Sequence, residues 1–256
     1  MEAGFIIIFF ALLGASLGSF INVVASRTVS GRPWGWSERS SCETCGAVLE
    51  WRDLVPLFSW LMLRGRCRRC HAKIGIRCLA VEVLGAAAGG LLAWRWGIST
   101  ALLFSMTAAF GLFLNALTDI EEGYVFDVFP LAMGVAGGLL RIGGGGGALL
   151  DGAAGAAAGL LVIGCIILLS RGGMGWGDAT IAAGTGALLG WKMLLLTLYT
   201  GFMLGGGIII LLLAFGRVDR KDTVPLVPFL AAGGLITLLA GPDILLSFGI
   251  SPGWPW

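Results

Sequence analysis

Charged side chains are scarce in this sequence. Only 12% of its 256 residues are Asp, Glu, Lys or Arg, whereas 57% are hydrophobic. A soluble domain of this length needs a charged surface, so the composition excludes an ordinary soluble globular protein and favours a membrane protein. The net charge of +2 is close to neutral and indicates no nucleic-acid partner. We therefore expect membrane lipid, and no nucleic acid, around the chain.

Histidine is almost absent as well. His71 is the only one, which excludes a His-based serine protease triad and an HExxH metalloprotease site. The sequence also lacks a glycine-rich Rossmann fingerprint, an internal repeat, and the inverted half-to-half symmetry of many transporters. The first residues, Met-Glu-Ala-Gly, lack the Lys or Arg that opens a cleaved signal peptide. We expect the apolar run that follows to be retained as a membrane span.

Apolar segments recur along the whole chain. A spanning helix needs about 20 mostly apolar residues, and shorter stretches span when they pack inside a bundle. Eight segments qualify, roughly at residues 4–25, 79–95, 99–119, 125–142, 148–169, 177–190, 192–215 and 226–249. The sequence therefore predicts an all-α, polytopic membrane helix bundle of about eight transmembrane helices. The glycine run 143–147 predicts a flexible connection, and the pairs Gly14/Gly18 and Gly155/Gly159 have the spacing that lets helices pack closely.

Basic residues are concentrated between the first two spans. Ten of the 17 lie in residues 27–78, namely Arg27, Arg32, Arg39, Arg52, Arg64, Arg66, Arg68, Arg69, Lys73 and Arg77. Under the positive-inside rule this segment is cytoplasmic, and the N-terminus is periplasmic. With eight spans, Arg171, Arg217, Arg220 and Lys221 also fall inside, while Arg95, Arg141 and Lys192 fall outside. We divide the chain into a first transmembrane helix (1–26), a cytoplasmic loop domain (27–78) and a helix bundle (79–256).

The cytoplasmic loop contains two Cys-x-x-Cys pairs, formed by Cys42, Cys45, Cys67 and Cys70. This spacing lets four thiolates close tetrahedrally on Zn²⁺. Disulfides are the alternative, but they rarely persist in the reducing cytoplasm. We predict a structural zinc site, like a zinc ribbon, that folds the loop. The adjacent His71 is either a replacement ligand or a solvated residue, and Cys78 and Cys165 are expected to be apolar packing residues.

Acids within apolar spans are energetically expensive and usually functional. Those inside or beside the expected spans are Glu82, Asp119, Asp127, Asp151 and Asp178. On the expected topology, Asp119 ends the third span and Asp178 opens the sixth, both at the cytoplasmic face. Two such carboxylates brought together would share one proton. The ionised one could then deprotonate water while the protonated one polarised a peptide carbonyl.

Each aspartate also has a structural interpretation. Asp178 follows Gly177 and could simply cap a helix N-terminus. Asp119, at a helix C-terminus, faces the negative end of the helix dipole, which favours the protonated role in the pair. Gly175 and Gly177 weaken helical order next to Asp178 and give an extended substrate room to approach.

Further motifs occur in a fixed order. The first span contains Gly18-Ser19-Phe20-Ile21-Asn22-Val23. The Cys pairs follow, then Thr118-Asp119-Ile120, with Asp127 eight residues after Asp119, and Gly172-Gly-Met-Gly-Trp-Gly-Asp178. This ordered set resembles the bacterial type IV prepilin peptidase family. Its members are both leader peptidases and N-methyltransferases, and as proteases they are of the GxGD intramembrane aspartyl type. The resemblance implies catalytic roles for Asp119 and Asp178. It implies a supporting role for Asp127, whose structural alternative is an N-cap of the fourth span.

The resemblance implies an endopeptidase of the bacterial inner membrane. Such an enzyme removes the basic leader from type IV prepilins or pseudopilins at the cytoplasmic face, and methylates the new N-terminus from S-adenosylmethionine. Arg77 and Glu82 are candidates for the methyl-donor site, with a structural ion pair as the alternative. The sequence departs from the family at Thr180, where lysine is usual, at Cys78, where tyrosine is common, and at Leu79, where proline often follows.

Two alternatives belong to other functional classes. A transporter or channel with a zinc-bound loop would distribute its acids across the depth of the bilayer, whereas Asp119 and Asp178 gather at one face. A non-catalytic scaffold for pilus assembly proteins would have no need of paired acids near lipid.

Overall fold

The computed structural model describes residues 2–34, 39–170, 174–219 and 224–255. Over these residues the regular structure is helical. The helices are α1 (Glu2–Val29), a 3₁₀ turn (Trp51–Leu54), α2 (Phe58–Met62), α3 (Ile76–Trp96), α4 (Thr100–Glu122), α5 (Val128–Arg141), a 3₁₀ turn (Ile142–Gly144), α6 (Gly145–Ser170), α7 (Trp176–Leu189), α8 (Trp191–Ala214) and α9 (Val227–Ser247). Some residues named in the sequence analysis lie outside the described ranges, namely the basic residues Arg171, Arg220 and Lys221 and the motif residues Gly172 and Gly173.

Six apolar stretches of the described chain are long enough to cross a membrane. One of them runs from Val128 to Ser170 and contains both α5 and α6, and α7, with 14 residues, is shorter than a full span. The predicted all-helical membrane fold is confirmed, and the expected count of eight is approximate. In the described ranges, a helix lies at each of the eight expected positions.

The glycine run after α5 differs from expectation. The predicted flexible connection at 143–147 is wrong, because a 3₁₀ turn covers Ile142–Gly144 and α6 begins at Gly145. Gly145 takes a left-handed φ of 75°, which redirects the chain into the new helix. Each helical glycine costs about 1 kcal/mol relative to alanine, but an unpaired backbone group in a bilayer costs several. Helix formation therefore prevails over glycine's intrinsic preference.

The chain separates into two compact units, Met1–Ile98 and Ser99–Trp256. In the first unit, α1 packs along α3. A Cβ at Gly14 would overlap the carbonyl of Gly85, and one at Gly18 would lie 2.7 Å from the carbonyl oxygen of Val81. The small-residue spacing of α1 therefore allows backbone-to-backbone contact. The division into three parts at residues 26 and 78 stays a prediction. In the structure, α3 packs with α1 in the first unit.

In the second unit, α7 contacts α4, α5, α6 and α8. Its residues Ala179, Ile181 and Leu188 are completely buried. The second glycine pair lies on α6, where Gly155 faces Gly186 of α7 and Gly159 faces the backbone of Ala182. This close packing explains how a helix of only 14 residues can be held within the bundle. The predicted third and sixth spans, α4 and α7, are thus in contact.

Candidate active site and metal centre

Asp119 lies in the last turn of α4. This helix ends at Gly123, whose left-handed conformation lets its N–H donate to the backbone carbonyl of Asp119 at 2.8 Å. The side chain is buried, and its Oδ2 accepts a hydrogen bond from the N–H of Val227 at 3.0 Å. Because Val227 opens α9, the carboxylate also faces a helix N-terminus. The N-terminus of α9 favours a charged carboxylate, whereas the C-terminus of α4 favours a protonated one. The protonated role assigned to Asp119 therefore stays a prediction.

Asp178 is the third residue of α7, after Gly175 at the N-cap. The backbone N–H of Gly175 lies near the carboxylate of Asp178 and favours the charged form, as the orphan amides at a helix N-terminus do for an acid in the first turn. It also lies within range of a direct electrostatic interaction with the carboxylate of Asp119. Asp178 therefore interacts with the N-terminus of its own helix and, electrostatically, with Asp119.

Asp127 and Gly177 lie beside this pair. Asp127 occupies the N-cap position of α5, but its side chain makes no capping hydrogen bond. Its Oδ1 instead accepts from the hydroxyl of Thr180 at 3.1 Å, and that hydroxyl also lies 2.9 Å from the carbonyl oxygen of Gly177. Gly177 packs on Val125, since a Cβ there would lie 2.5 Å from the Cβ of Val125. Thr180, at the position where the family usually has lysine, therefore links Asp127 to the start of α7.

The four predicted zinc ligands come together in the first unit. The Sγ atoms of Cys42, Cys45, Cys67 and Cys70 all lie within 4.8 Å of one another, and all four are free thiols. The two pairs have matching backbones. The N–H of Cys42 donates to the carbonyl of Ala47 at 2.9 Å, and the N–H of Cys67 donates to that of Ala72 at 2.8 Å. Each pair thus forms a tight knuckle, as a tetrahedral zinc site with four cysteine ligands requires.

His71 has a structural position in the second knuckle. It lies four residues after Cys67 and takes a left-handed φ of 57°, and Gly46 lies four residues after Cys42 with a φ of 67°. Both donate their N–H to the carbonyl of the first cysteine of their pair, at 3.0 and 2.8 Å. His71 is exposed and is not part of the cysteine cluster. It is therefore the turn residue of its knuckle, and the cysteines form the ligand set.

The knuckle backbone also acts on the thiols. The N–H groups of Cys45 and Thr44 lower the pKa of the Cys42 thiol to about 6. The N–H groups of Cys70 and Arg69 lower the pKa of Cys67 in the same way. Although the N–H of Ala72 lowers it, burial and the neighbouring thiols raise the pKa of Cys70 to about 11. Four adjacent thiols cannot all ionise easily, and a bound dication such as Zn²⁺ would relieve that repulsion.

The sequence matches known families in both units. Residues 12–96 match the Bacterial Peptidase A24 N-terminal domain, and residues 106–211 match the Type IV leader peptidase family. The chain is 32% identical to the prepilin leader peptidase/N-methyltransferase of Burkholderia pseudomallei (strain K96243), over 97% of this chain and 90% of that protein. It is 31% identical to the protein of that name from Pseudomonas putida, over 96% and 95% of the two chains. This chain belongs to the type IV prepilin leader peptidase family.

Membership in the prepilin leader peptidase family confirms the resemblance read from the ordered motifs and does not favour a transporter or channel. The two matched regions fall within the two compact units. No solved structure matches the chain.

In this member of the prepilin leader peptidase family, Glu82 connects α3 to the cysteine loop. Its buried carboxylate accepts hydrogen bonds from the hydroxyl of Ser19 at 2.8 Å and from the backbone N–H of Leu57 at 2.6 Å. Leu57 has a φ of 64°, which is unusual for a leucine. Arg77, which the sequence analysis named with Glu82 as a candidate for the methyl-donor site, is exposed at the start of α3. Glu82 therefore fixes the loop to α1 and α3.

Several residues around the candidate sites escaped the sequence analysis. The contact of Val227 with Asp119 had one local signal, since Pro228 marks the first turn of a helix. Thr180 was visible only as a departure from the family pattern.

Proposed function

We propose that this chain is a prepilin peptidase, an intramembrane aspartic endopeptidase in which Asp119 and Asp178 form the catalytic pair. The observation that carries the proposal is the electrostatic interaction between the two carboxylates, which lie where α4 ends and α7 begins in two helices that pack together. Family membership supplies the substrate class, the basic leader of type IV prepilins or pseudopilins.

Hydrolysis by such a pair needs no further group. One carboxylate, ionised, takes a proton from a water molecule as the water attacks the peptide carbonyl. The other, protonated, donates a hydrogen bond to the carbonyl oxygen and stabilises the negative charge that develops there. The first then returns its proton to the leaving amine. The N–H groups of Val227 and Gly175, one for each carboxylate, hold the two side chains in place.

Three neighbours support the pair in this proposal. Gly177 allows the start of α7 to approach Val125 closely, which sets the position of Asp178. Gly175 provides the N-cap amide for the same carboxylate. Asp127, linked to α7 through Thr180, positions the segment between α4 and α5 next to the pair.

The proposed location is the bacterial inner membrane, with several spans, a periplasmic N-terminus and the active site at the cytoplasmic face. The support is the distribution of Lys and Arg, which favours a cytoplasmic loop at 27–78. A basic leader that remains in the cytoplasm would reach an active site on that side.

The first unit supports two further parts of the proposal. Cys42, Cys45, Cys67 and Cys70 would hold a structural Zn²⁺ that joins the two knuckles. The relatives' names include N-methyltransferase, and we extend this activity to the chain, with S-adenosylmethionine as the methyl donor. Glu82 and Arg77 remain candidates for the methyl-donor site.

Leader cleavage by purified protein in detergent tests the peptidase. Asp119→Asn and Asp178→Asn should each lower the cleavage rate at least about a hundredfold, because each removes a group that transfers or holds a proton in the transition state. Asp243→Asn is the matched control, since this aspartate lies exposed near the end of α9. Cleavage by either pair variant at the rate of the Asp243 control would refute the catalytic assignment.

A further inference from the structure

The short helix α2 divides its side chains between two faces. Ser59 and Trp60 point to the polar cavity that the cysteine loop encloses with α1 and α3. Phe58, Leu61 and Met62 do not line this cavity, and each is more than half exposed. Their spacing of three and four residues places them together on one side of the helix. We call these three residues the α2 face, an apolar surface that no described part of the chain covers.

The attachment of α2 to α3 fixes its depth in the membrane. The helix α3 is a candidate span of 21 residues, so it is about 31 Å long and matches the roughly 30 Å hydrocarbon core of a bilayer. Glu82 follows the first residue of α3, Ile76, by about 9 Å along the helix axis. Its carboxylate accepts the N–H of Leu57, the residue that precedes α2, at 2.6 Å. The helix α2 therefore begins beside the first two turns of a membrane span.

The helices at this depth also present apolar side chains outward. Val83 and Leu84 follow Glu82 on α3, and both are exposed. On α1, the hydroxyl of Ser19 donates to Glu82, which places Ser19 at the same level, and the next residue, Phe20, is exposed as well. Apolar side chains on the outer surface of a spanning helix face acyl chains. The α2 face therefore lies level with the lipid-facing surface of α1 and α3.

Basic residues flank the α2 face. Residues 27–78 contain ten basic residues against four acidic ones. Arg64 is exposed two residues after the end of α2. On the other side, the guanidinium of Arg52 lies 5.5 Å from the ring centre of the exposed Trp51, in the 3₁₀ turn that contacts α2. Tryptophan favours the level of the lipid headgroups, and arginine pairs with their phosphates. Apolar residues with basic neighbours suit an anionic bilayer surface.

We propose that α2 is an interfacial anchor, which inserts the α2 face into the adjacent leaflet and holds the cysteine loop against anionic lipid. A helix suits this position, because unpaired backbone groups are costly near the hydrocarbon. Within and after α2, the N–H of Leu61 donates to the carbonyl of Leu57 at 3.1 Å, and that of Leu63 to the carbonyl of Ser59 at 3.0 Å. Lipid is the occupant because it is the medium that surrounds α1 and α3 at this depth. The inference depends on these two spans and on neither proposed enzymatic activity.

Photo-crosslinking tests the anchor in the full chain, reconstituted into vesicles of equal parts phosphatidylglycerol and phosphatidylcholine. The photoreactive residue p-benzoylphenylalanine replaces Phe58, Leu61 or, as the matched control on the cavity side of α2, Ser59. Mass spectrometry then measures lipid adducts on the labelled peptide. We expect at least about fivefold more lipid adduct at Phe58 and Leu61 than at Ser59, because only the α2 face lies among acyl chains. Phosphatidylglycerol should exceed phosphatidylcholine in these adducts at least about twofold, and Arg64→Gln should bring that ratio closer to one.

The alternative occupants give different products. Adducts with protein at Phe58 and Leu61 would mean that a protein surface covers the α2 face, and the inference would be wrong. Equal lipid adducts at all three positions would also overturn it, because α2 would then have no fixed orientation. Equal yields of the two lipids would exclude the preference for an anionic surface. Should a label on the α2 face prevent folding, Met62 is a further position, and Glu43, exposed and lining the cavity, replaces Ser59 as the control. The assay contains no pilin, so its result is independent of leader cleavage.

Discussion

Replacing Arg141 with Met should lower the free energy of unfolding by about 3–5 kcal/mol, the usual cost of breaking a buried ion pair. Arg141 is 1% exposed at the end of α5. Its Nε donates to the carbonyl of Ala187 at 2.9 Å, its Nη1 to that of Ala148 at 2.8 Å and to the Oδ2 of Asp151 at 3.0 Å, and its Nη2 to the carbonyl of Leu188 at 3.1 Å.

The magnitude follows from what the substitution leaves behind. Ala187 and Leu188 belong to the last turn of α7, whose carbonyls have no partner within their own helix. Met fills much of the same volume but donates no hydrogen bond, so three carbonyls and one carboxylate lose a donor. An unsatisfied buried group costs about 1–3 kcal/mol. The expected loss of stability lies near the lower end of the summed cost for these four acceptors, because the side chain of Asp151 is 22% exposed and can bind water instead.

A double-mutant cycle measures the ion pair alone. Arg141→Met, Asp151→Asn and the double variant would be unfolded in detergent, and the coupling energy should be about 1 kcal/mol, since one partner reaches solvent. Leader cleavage should survive better in folded Arg141→Met than in Asp178→Asn. Leu188 lies ten residues from Asp178, or about 15 Å along α7. An Arg141→Met variant within about 1 kcal/mol of the unmodified chain would refute this reasoning.

Three further predictions follow from single contacts. Gly14→Ala should destabilise the chain by about 1–3 kcal/mol, because its Cβ overlaps the α3 backbone. Gly4→Ala, which meets nothing within 4 Å, should instead be neutral or stabilise the chain by up to about 1 kcal/mol in the same unfolding assay. Cys42→Ser should abolish zinc binding measured by metal analysis, whereas His71→Gly should keep one zinc per chain and gain about 1 kcal/mol, since it relieves a left-handed φ. Thr185→Val should raise stability by about 1 kcal/mol, because the hydroxyl has no partner in the described structure. A destabilising Thr185→Val would mean that this hydroxyl is hydrogen-bonded after all.

The positions of the helices could be predicted because the bilayer imposes them. Apolar length and the requirement for internal backbone hydrogen bonds together leave little choice but helix. The ends were less predictable. The third span was expected to end at 119, but α4 continues to Glu122 because the stop signal is Gly123, which lies beyond the apolar run.

The candidate sites could be predicted where their residues form short patterns in the sequence. The two Cys-x-x-Cys pairs and the acids at the ends of apolar runs are short patterns, and the structure brings each set together. Contacts between distant segments leave no such pattern. The bond from Thr180 to Asp127 joins residues 53 apart, and the bond from Arg141 to Leu188 joins residues 47 apart. Arg141 was placed on the outer side from the expected topology, and nothing in the sequence showed that it is buried among four acceptors on α6 and α7.

The surroundings of the two aspartates show why the site depends on more than the segment that contains them. Two carboxylates in a poorly solvated place repel each other, so the fold must compensate each of them. Asp178 receives the N–H of Gly175 from the start of its own helix, whereas Asp119, at the unfavourable end of α4, receives the N–H of Val227 from α9. Residues 106–211 carry the match to the peptidase family, yet Val227 lies beyond them. A chain truncated before α9 would keep both aspartates but leave Asp119 without the amide of Val227, and we infer that α9 contributes to the proposed active site.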